Sequence, residues 1–343
     1  MAAQGESGSK AGSEFGLIAR HFTRPTPSAL LGPGDDCALL MPTPGKALAV
    51  TTDMLVAGVH FLPDTDPERL GWKTLAVNLS DLAAMGATAR WVTLAGALPA
   101  ADENWLAAFA RGLFACADAH GVELVGGDTT AGPLNLCVTA LGEIEPGQAL
   151  RRCGARAGDE IWVSGRPGLA ALGLAHAQGR VRLPEPWPRL CLAALEKPRP
   201  RLALGAALRG VAHAAIDVSD GLLADLGHLA RASGLAASVH LVQLPQLRDL
   251  AGSGAQYDAD LRCLALECQL AGGDDYELLF TAAREQHNRI AEIAARLELP
   301  LWCIGEMQTG EQAGADAPGS VRVLDPEGQE IEFARQGYEH FAV

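Results

Sequence analysis

Six short stretches place aspartates beside glycine, serine or threonine: Gly34-Asp35-Asp36, Thr51-Thr52-Asp53, Asn78-Leu79-Ser80-Asp81, Gly126-Gly127-Asp128-Thr129-Thr130, Asp217-Val218-Ser219-Asp220-Gly221 and Gly272-Gly273-Asp274-Asp275. Glycine lets a backbone approach a ligand closely, and loops at strand ends bring distant residues together on a rigid scaffold. Gathered carboxylates repel: two like charges 4 Å apart cost about 4 kcal/mol at an effective dielectric of roughly 20. A divalent cation removes that cost. Oxygen donors flanked by hydroxyls suit Mg2+, which takes a few carboxylates, keeps waters and completes its shell from substrate phosphates. These residue types favour phosphate chemistry over zinc or copper chemistry.

Taken singly, Asp35, Asp36, Asp53, Asp81 and Asp128 also suit turns, caps or a solvated surface. Asp217 and Asp220 are more specific. They bracket the junction between an apolar strand and a helix whose Leu222, Leu223, Leu226 and Leu229 form one stripe. Ser219 is expected to cap that helix, turning its first amides and its dipole toward a phosphate, with the two aspartates holding the accompanying metal. Asp225 and Asp249 read as solvated positions. No G-x-x-x-x-G-K-[ST] motif occurs, and Pro44-Gly45-Lys46-Ala47 lacks both its spacing and its hydroxyl. Phosphates must then be held through metal, with Arg152 as a candidate cation.

The elements that would position these residues alternate. A strand over 47–52 delivers Thr51, Thr52 and Asp53 to its C-terminal end, and a helix over 67–85 follows, with Pro67 in its first turn. A strand over 91–98 precedes a helix capped by Asp102 and closed by Gly121. Strands over 122–125 and 134–144 flank the Gly126–Thr130 stretch. After a Gly- and Arg-rich connection over 145–159, further strands are expected over 161–164, 214–218, 276–281, 301–304 and 321–324. Helices are expected over 169–178, 221–232 and 284–297, and residues 184–200 read as a Pro-rich passage. The mixture is α/β or α+β in two domains: a tail over 1–13, an N-terminal domain over 14–149 and a C-terminal domain over 150–343.

With 343 residues, 48% of them hydrophobic, the chain can build two cores, and its formal charge of −14 argues against a nucleic-acid-binding face. No apolar run approaches the roughly 20 residues a membrane helix needs. The first residues lack the apolar core of a signal peptide, so a cytoplasmic location is expected. The eight cysteines form no C-x-x-C pair and read as reduced structural thiols.

In order, GDDCAL, TTDMLVAGVHF, NLSDLAAMGA, GGDTT, DVSDGLLADLGH, GGDDYELLF and the terminal GYEHF resemble the motifs of the thiamine-monophosphate kinase family, in the superfamily of aminoimidazole ribonucleotide synthetase. The likeness spans nearly the whole chain after the tail. It implies ATP- and Mg2+-dependent phosphorylation of thiamine monophosphate to thiamine diphosphate by direct in-line transfer. It also implies a two-domain α/β fold and a homodimer in which the N-terminal sheets of two subunits join.

Carried over residue by residue, the resemblance makes Asp36, Thr51, Thr52, Asp53, Asp81, Asp128, Asp217 and Asp220 metal-site positions. Asp128, Asp217 and Asp220 become the catalytic set, and Gly127, Asp128, Arg152 and Ser219 become nucleotide contacts. His60, Asp274 and Tyr338 match contacts to the thiamine substrate, Asp274 standing where the family usually has Glu. Relatives in the superfamily that dehydrate a carbamoyl group would need a C-terminal cysteine, and selenophosphate synthetases a reactive Cys or selenocysteine near the start; this sequence offers neither. A non-catalytic metal- or nucleotide-binding protein is the alternative from another class.

Overall fold

A computed structural model describes residues 14–245, 259–310, 317–331, 333 and 337–338. The expected tail over 1–13 and Asp249 lie outside them. The chain divides into two compact units, one drawn from residues 1–44, 50–78 and 89–143, the other from 45–49, 79–88 and 144–343.

The first unit holds a four-stranded sheet in the order β3 (Ala47–Val56), β6 (Asn135–Ile144), β4 (Thr88–Leu98), β5 (Glu123–Ala131), with β4 and β5 parallel. A small antiparallel ribbon, β1 (Ala29–Leu31) with β2 (Leu39–Leu40), and helix α1 (Glu14–His21) precede it. Helix α2 (Pro67–Ala84) buries Leu70, Leu75, Leu79 and Leu82, and from Leu70 onward it is buried on nearly every face. In α3 (Glu103–His120), Asp102 accepts from the amides of Asn104 (2.9 Å) and Trp105 (3.1 Å), and Gly121 ends the helix at φ 65°. The helices α2 and α3 touch backbone to backbone. A Cβ at Gly71 would lie 2.0 Å from the Phe109 carbonyl oxygen, and one at Gly112 1.7 Å from that of Glu68.

Three expected strands end too early, and the one expected over 301–304 runs on to Gln308. Strand β3 runs on through Met54, Leu55 and Val56, so Thr51, Thr52 and Asp53 sit inside it rather than at its end. Strand β5 runs through the glycines to Ala131, which places Gly127 and Asp128 in a ladder opposite Leu94 and Ala95. Glycine lowers strand propensity, but pairing with β4 outweighs it. Between Val92/Leu124 and Thr93/Gly126 the register slips by one residue on β5, a bulge just ahead of the glycines.

The second unit is a seven-stranded mixed sheet, ordered β13 (Glu330–Ile331), β12 (Val321–Leu324), β9 (Ala236–His240), β11 (Leu301–Gln308), β7 (Glu160–Ser164), β10 (Glu277–Ala282), β8 (Ala214–Val218). Its inner strands are buried on both faces. Ile161, Val163, Ile216, Val218 and Leu279 meet the leucines of α7 (Leu222–Ala232) in one core. Trp162, Ala215, Leu278 and Phe280 meet α6 (Leu202–Leu208) and α9 (His287–Leu297) in another. Such strands read as unbroken apolar runs because neither face meets water.

Helices α4 (Leu169–Ala177) and α8 (Ala259–Ala271) complete the described helices with α5 (Trp187–Glu196), which occupies the Pro-rich passage. There Pro186 and Pro188 lie at the start of the helix, where a missing amide costs nothing, while Pro198 and Pro200 follow its end.

Candidate functional site

Strand β8 carries Asp217 as its penultimate residue, 5% exposed, and Asp217 Oδ2 accepts a hydrogen bond from the Oγ of buried Ser80 at 2.7 Å. The loop that follows is fixed from within by Asp225, at the end of the first turn of α7. Its Oδ2 accepts the amides of Ser219 (3.0 Å), Asp220 (3.1 Å) and Gly221 (3.2 Å). Burial pushes this carboxyl up to about 7, the charge of Asp220 adds to that, and the three N–H groups oppose it.

These contacts correct two expectations. Asp225 is not solvated but 3% exposed, because residues 222, 225 and 229 share one helical face and the leucine stripe carries the acid inward. Ser219 does not cap α7: Gly221 occupies that position with no side-chain cap, and the loop amides turn toward Asp225 instead of toward solvent. Amides engaged in this way are not available to cradle a phosphate.

The loop carbonyls face a different set of partners. Val218 O accepts from the Tyr276 amide (2.8 Å), Ser219 O from Asp274 (2.9 Å) and Asp220 O from Tyr338 (3.0 Å). Asp274 and Tyr338, matched to substrate contacts, are thereby joined by main chain to the loop that bears Asp220. Asp274 and Tyr276 take left-handed conformations, φ 69° and 52°, and the Tyr276 hydroxyl donates to Asp274 Oδ1 at 3.1 Å.

Just beyond, Asp275 accepts from the Gly168 amide at the start of α4 (2.7 Å), and burial drives its carboxyl well above the ordinary range. Glu277 binds Arg201 through two nitrogens, at 2.7 and 2.5 Å, and also the Ser164 hydroxyl. None of the anchors Ser80, Asp225, Asp275, Glu277 and Arg201 was assigned a role from sequence. For Asp225 the signal was its place in the stripe, and for Ser80 and Glu277 an adjoining apolar stretch; Asp275 and Arg201, set among charged, Gly and Pro residues, gave none.

In the first unit the amide of Asp53 donates to Asn78 Oδ1 at 2.9 Å, and fully buried Asn78 is itself bonded to Thr74 O. Thr52 Oγ1 lies 2.9 Å from Thr139 Oγ1 on β6. His60 Nδ1 accepts the Val56 amide at 3.0 Å, so in the neutral ring the proton sits on Nε2. Lys73, 2% exposed, donates to the His60 carbonyl at 3.2 Å.

Asp36 and Asp128 are exposed, as is Arg152 in the second unit; Asp81 and Thr51 are half-buried. A Cβ at Gly127, whose φ is 155°, would lie 1.9 Å from the Leu94 carbonyl oxygen. Asp36, Asp53 and Asp128 belong to the first unit and Asp81, Asp217 and Asp220 to the second. Among the described residues, no three His, Cys, Asp or Glu side chains are placed to hold a metal ion by themselves.

Comparison with known proteins agrees along the whole chain. Two family models match: AIR synthase related protein, N-terminal domain, over residues 34–144, and AIR synthase related protein, C-terminal domain, over 156–316. The thiamine-monophosphate kinase of Salmonella typhimurium is 46% identical over 337 residues, covering 96% of this chain and 98% of the relative. The crystal structure of thiamine-monophosphate kinase from Stenotrophomonas maltophilia K279a superposes with a TM-score of 0.77 at 48% identity, covering 92% of this chain and 95% of that one. A structure of AaThiL complexed with AMPPCP and TMP gives a TM-score of 0.71 at 29% identity, covering 88% and 89%.

Proposed function

The chain belongs to the AIR synthase related family, within its thiamine-monophosphate kinases, and from that premise we propose its reaction: ATP phosphorylates thiamine monophosphate, giving thiamine diphosphate and ADP. The observation that carries this reading is the end-to-end likeness to the Salmonella kinase. Residues 14–149 serve nucleotide and metal binding and dimerisation, and residues 150–343 form the C-terminal α/β domain.

The donor set fits Mg2+. Asp36, Thr51, Thr52, Asp53, Asp81, Asp128, Asp217 and Asp220 offer oxygen alone, as a hard cation requires, and Asp36 and Asp128 are open to solvent. When bound, Mg2+ would neutralise the repulsion between two anionic substrates and stabilise charge on the transferring group. Gly127, Asp128, Arg152 and Ser219 contact the nucleotide, Ser219 through its side chain because its amide is held by Asp225. His60, Asp274 and Tyr338 receive the thiamine substrate.

The acceptor is a phosphate oxygen, already anionic at neutral pH, so no residue must remove a proton before attack. Positioning by Asp128, Asp217 and Asp220 is the main task of the site, and transfer is in-line without a phosphoenzyme.

What supports a homodimer is strand β3, which lies at the edge of its sheet and exposes Leu48, Val50 and Met54 along one face. A long apolar edge strand invites pairing with a second copy. The eight cysteines are all unpaired by disulfides, which suits a reducing cytoplasm, and no described helix is long and apolar enough to cross a membrane.

Purified protein incubated with ATP, Mg2+ and thiamine monophosphate is expected to form thiamine diphosphate, with thiamine as the control acceptor. Absence of thiamine diphosphate sinks the assignment.

A further inference from the structure

The loop 218–221 spends its main-chain polar groups in two directions. Three amides converge on one buried oxygen of Asp225, while three carbonyls accept amides from Asp274, Tyr276 and Tyr338. The loop therefore sits between an internal anchor and the segment read as the thiamine contact.

Burying a carboxylate is costly, and three N–H groups repay only part of that cost. A Ser or Asp cap at the start of α7 would satisfy helix amides while remaining at the surface, and Ser219 and Asp220 are both of the right type. The chain instead sends Asp225 back from the end of the first turn. A capping side chain serves the helix that it begins, whereas Asp225 fixes the orientation of the preceding loop. With the amides drawn inward, the carbonyls of Val218, Ser219 and Asp220 turn outward to the neighbouring segment.

We propose that Asp225 is a positioning residue that couples Asp220 to the acceptor-binding segment, so that thiamine monophosphate recognition and the phosphoryl-transfer loop respond as one hydrogen-bonded body. The proposal rests on the kinase reading for its substrate, but the coupling itself is a property of the chain. Without Asp225 the three amides lose their common acceptor, the loop can rotate, and the hydrogen bonds to Asp274 and Tyr276 loosen with it. The substrate segment then shifts although nothing in it has been changed.

The test is Asp225→Asn, which keeps size but puts an NH2 donor in place of one carboxyl oxygen, so that the three amides no longer face a carboxyl acceptor. Hydrogen exchange read by mass spectrometry is expected to show faster exchange at 219–221 and, with it, at 274–276. The KM for thiamine monophosphate is expected to rise about tenfold, equivalent to about 1.4 kcal/mol. A merely structural role would lower the active fraction and leave the KM of the folded enzyme unchanged. Faster exchange confined to 219–221, or an unchanged KM, overturns the proposal.

If the variant does not fold, the wild type carries the test. Saturating thiamine monophosphate should slow exchange at 219–221 as well as at 274–276, and slowing confined to 274–276 rejects the coupling. A wild type that makes no thiamine diphosphate defeats the kinase reading alone, because exchange in the unliganded Asp225→Asn protein still decides whether the segments are coupled.

Discussion

The stretch 126–130 in the first unit and the loop 217–221 in the second are built from the same residue types, yet they are held in opposite ways. Asp128 takes its place from a strand ladder: it stands opposite Ala95, after a bulge, with its side chain exposed. Asp217 and Asp220 take theirs from buried side chains, Ser80 for the first and Asp225 for the second. A ladder fixes a residue through main chain and tolerates changes around it, provided that the backbones can approach. A buried polar network fixes it through atoms that are expensive to leave unsatisfied. The two regions should thus respond alike when the acids are changed and differently when their supports are.

The largest effect is expected at the acids themselves. Asp128→Asn and Asp220→Asn should each lower turnover at saturating Mg2+ by about 10²–10³-fold, the scale seen when one transition-state contact is removed. Chemical denaturation should place Asp128→Asn within about 0.5 kcal/mol of the parent, as for an exposed substitution, and Asp220→Asn no lower than the parent, since the Asp220 charge opposes ionisation of buried Asp225. Near-normal turnover in either would remove that aspartate from the catalytic set and leave the comparison one-sided.

The supports come next. Ser80→Ala strips the donor from Asp217 Oδ2 inside the protein, and leaving a buried carboxylate oxygen without it should cost about 1–3 kcal/mol. Thr130→Ala, an exposed change in the ladder-held stretch, should stay within about 0.5 kcal/mol. Equal costs, measured by urea unfolding, would mean that the two loops are not supported differently after all.

This asymmetry also explains what could be read from sequence. Asp102 and Gly121 announced the ends of α3 because caps depend on local chemistry, and the leucines of α7 announced its buried face through spacing. The acids themselves were legible because Asp beside Gly and Thr is a local pattern. Strand lengths were not, since β3 and β5 extend only because a neighbouring strand pairs with them. The supports were hidden for a related reason. Ser80 meets Asp217 across 137 residues of sequence, and Asp275 meets Gly168 across 107. Asp225 is the intermediate case: its helical position pointed inward, but nothing in a helical period says that three amides await it there.

The smallest effect concerns which of the two units meets the nucleotide, and cysteines supply natural reporters. Cys37 follows Asp36 in the first unit, Cys153 follows Arg152 in the second, and both are exposed, as is Cys263 away from either motif. Burial pushes the thiols of Cys191 and Cys303 up to about 11 and that of Cys268 up to about 12. Because the thiolate is the reacting form, these three should alkylate slowly at pH 8 while the exposed thiols alkylate fast. If Asp36 and Arg152 both serve the ATP site, Mg2+ with a non-hydrolysable ATP analogue should slow Cys37 and Cys153 severalfold and leave Cys263 unchanged, as read by mass spectrometry of the labelled peptides. Protection of Cys153 alone would take Asp36 out of the site, and protection of Cys37 alone would do the same for Arg152. Equal slowing at Cys263 would point to a general tightening of the protein rather than to contact with the nucleotide.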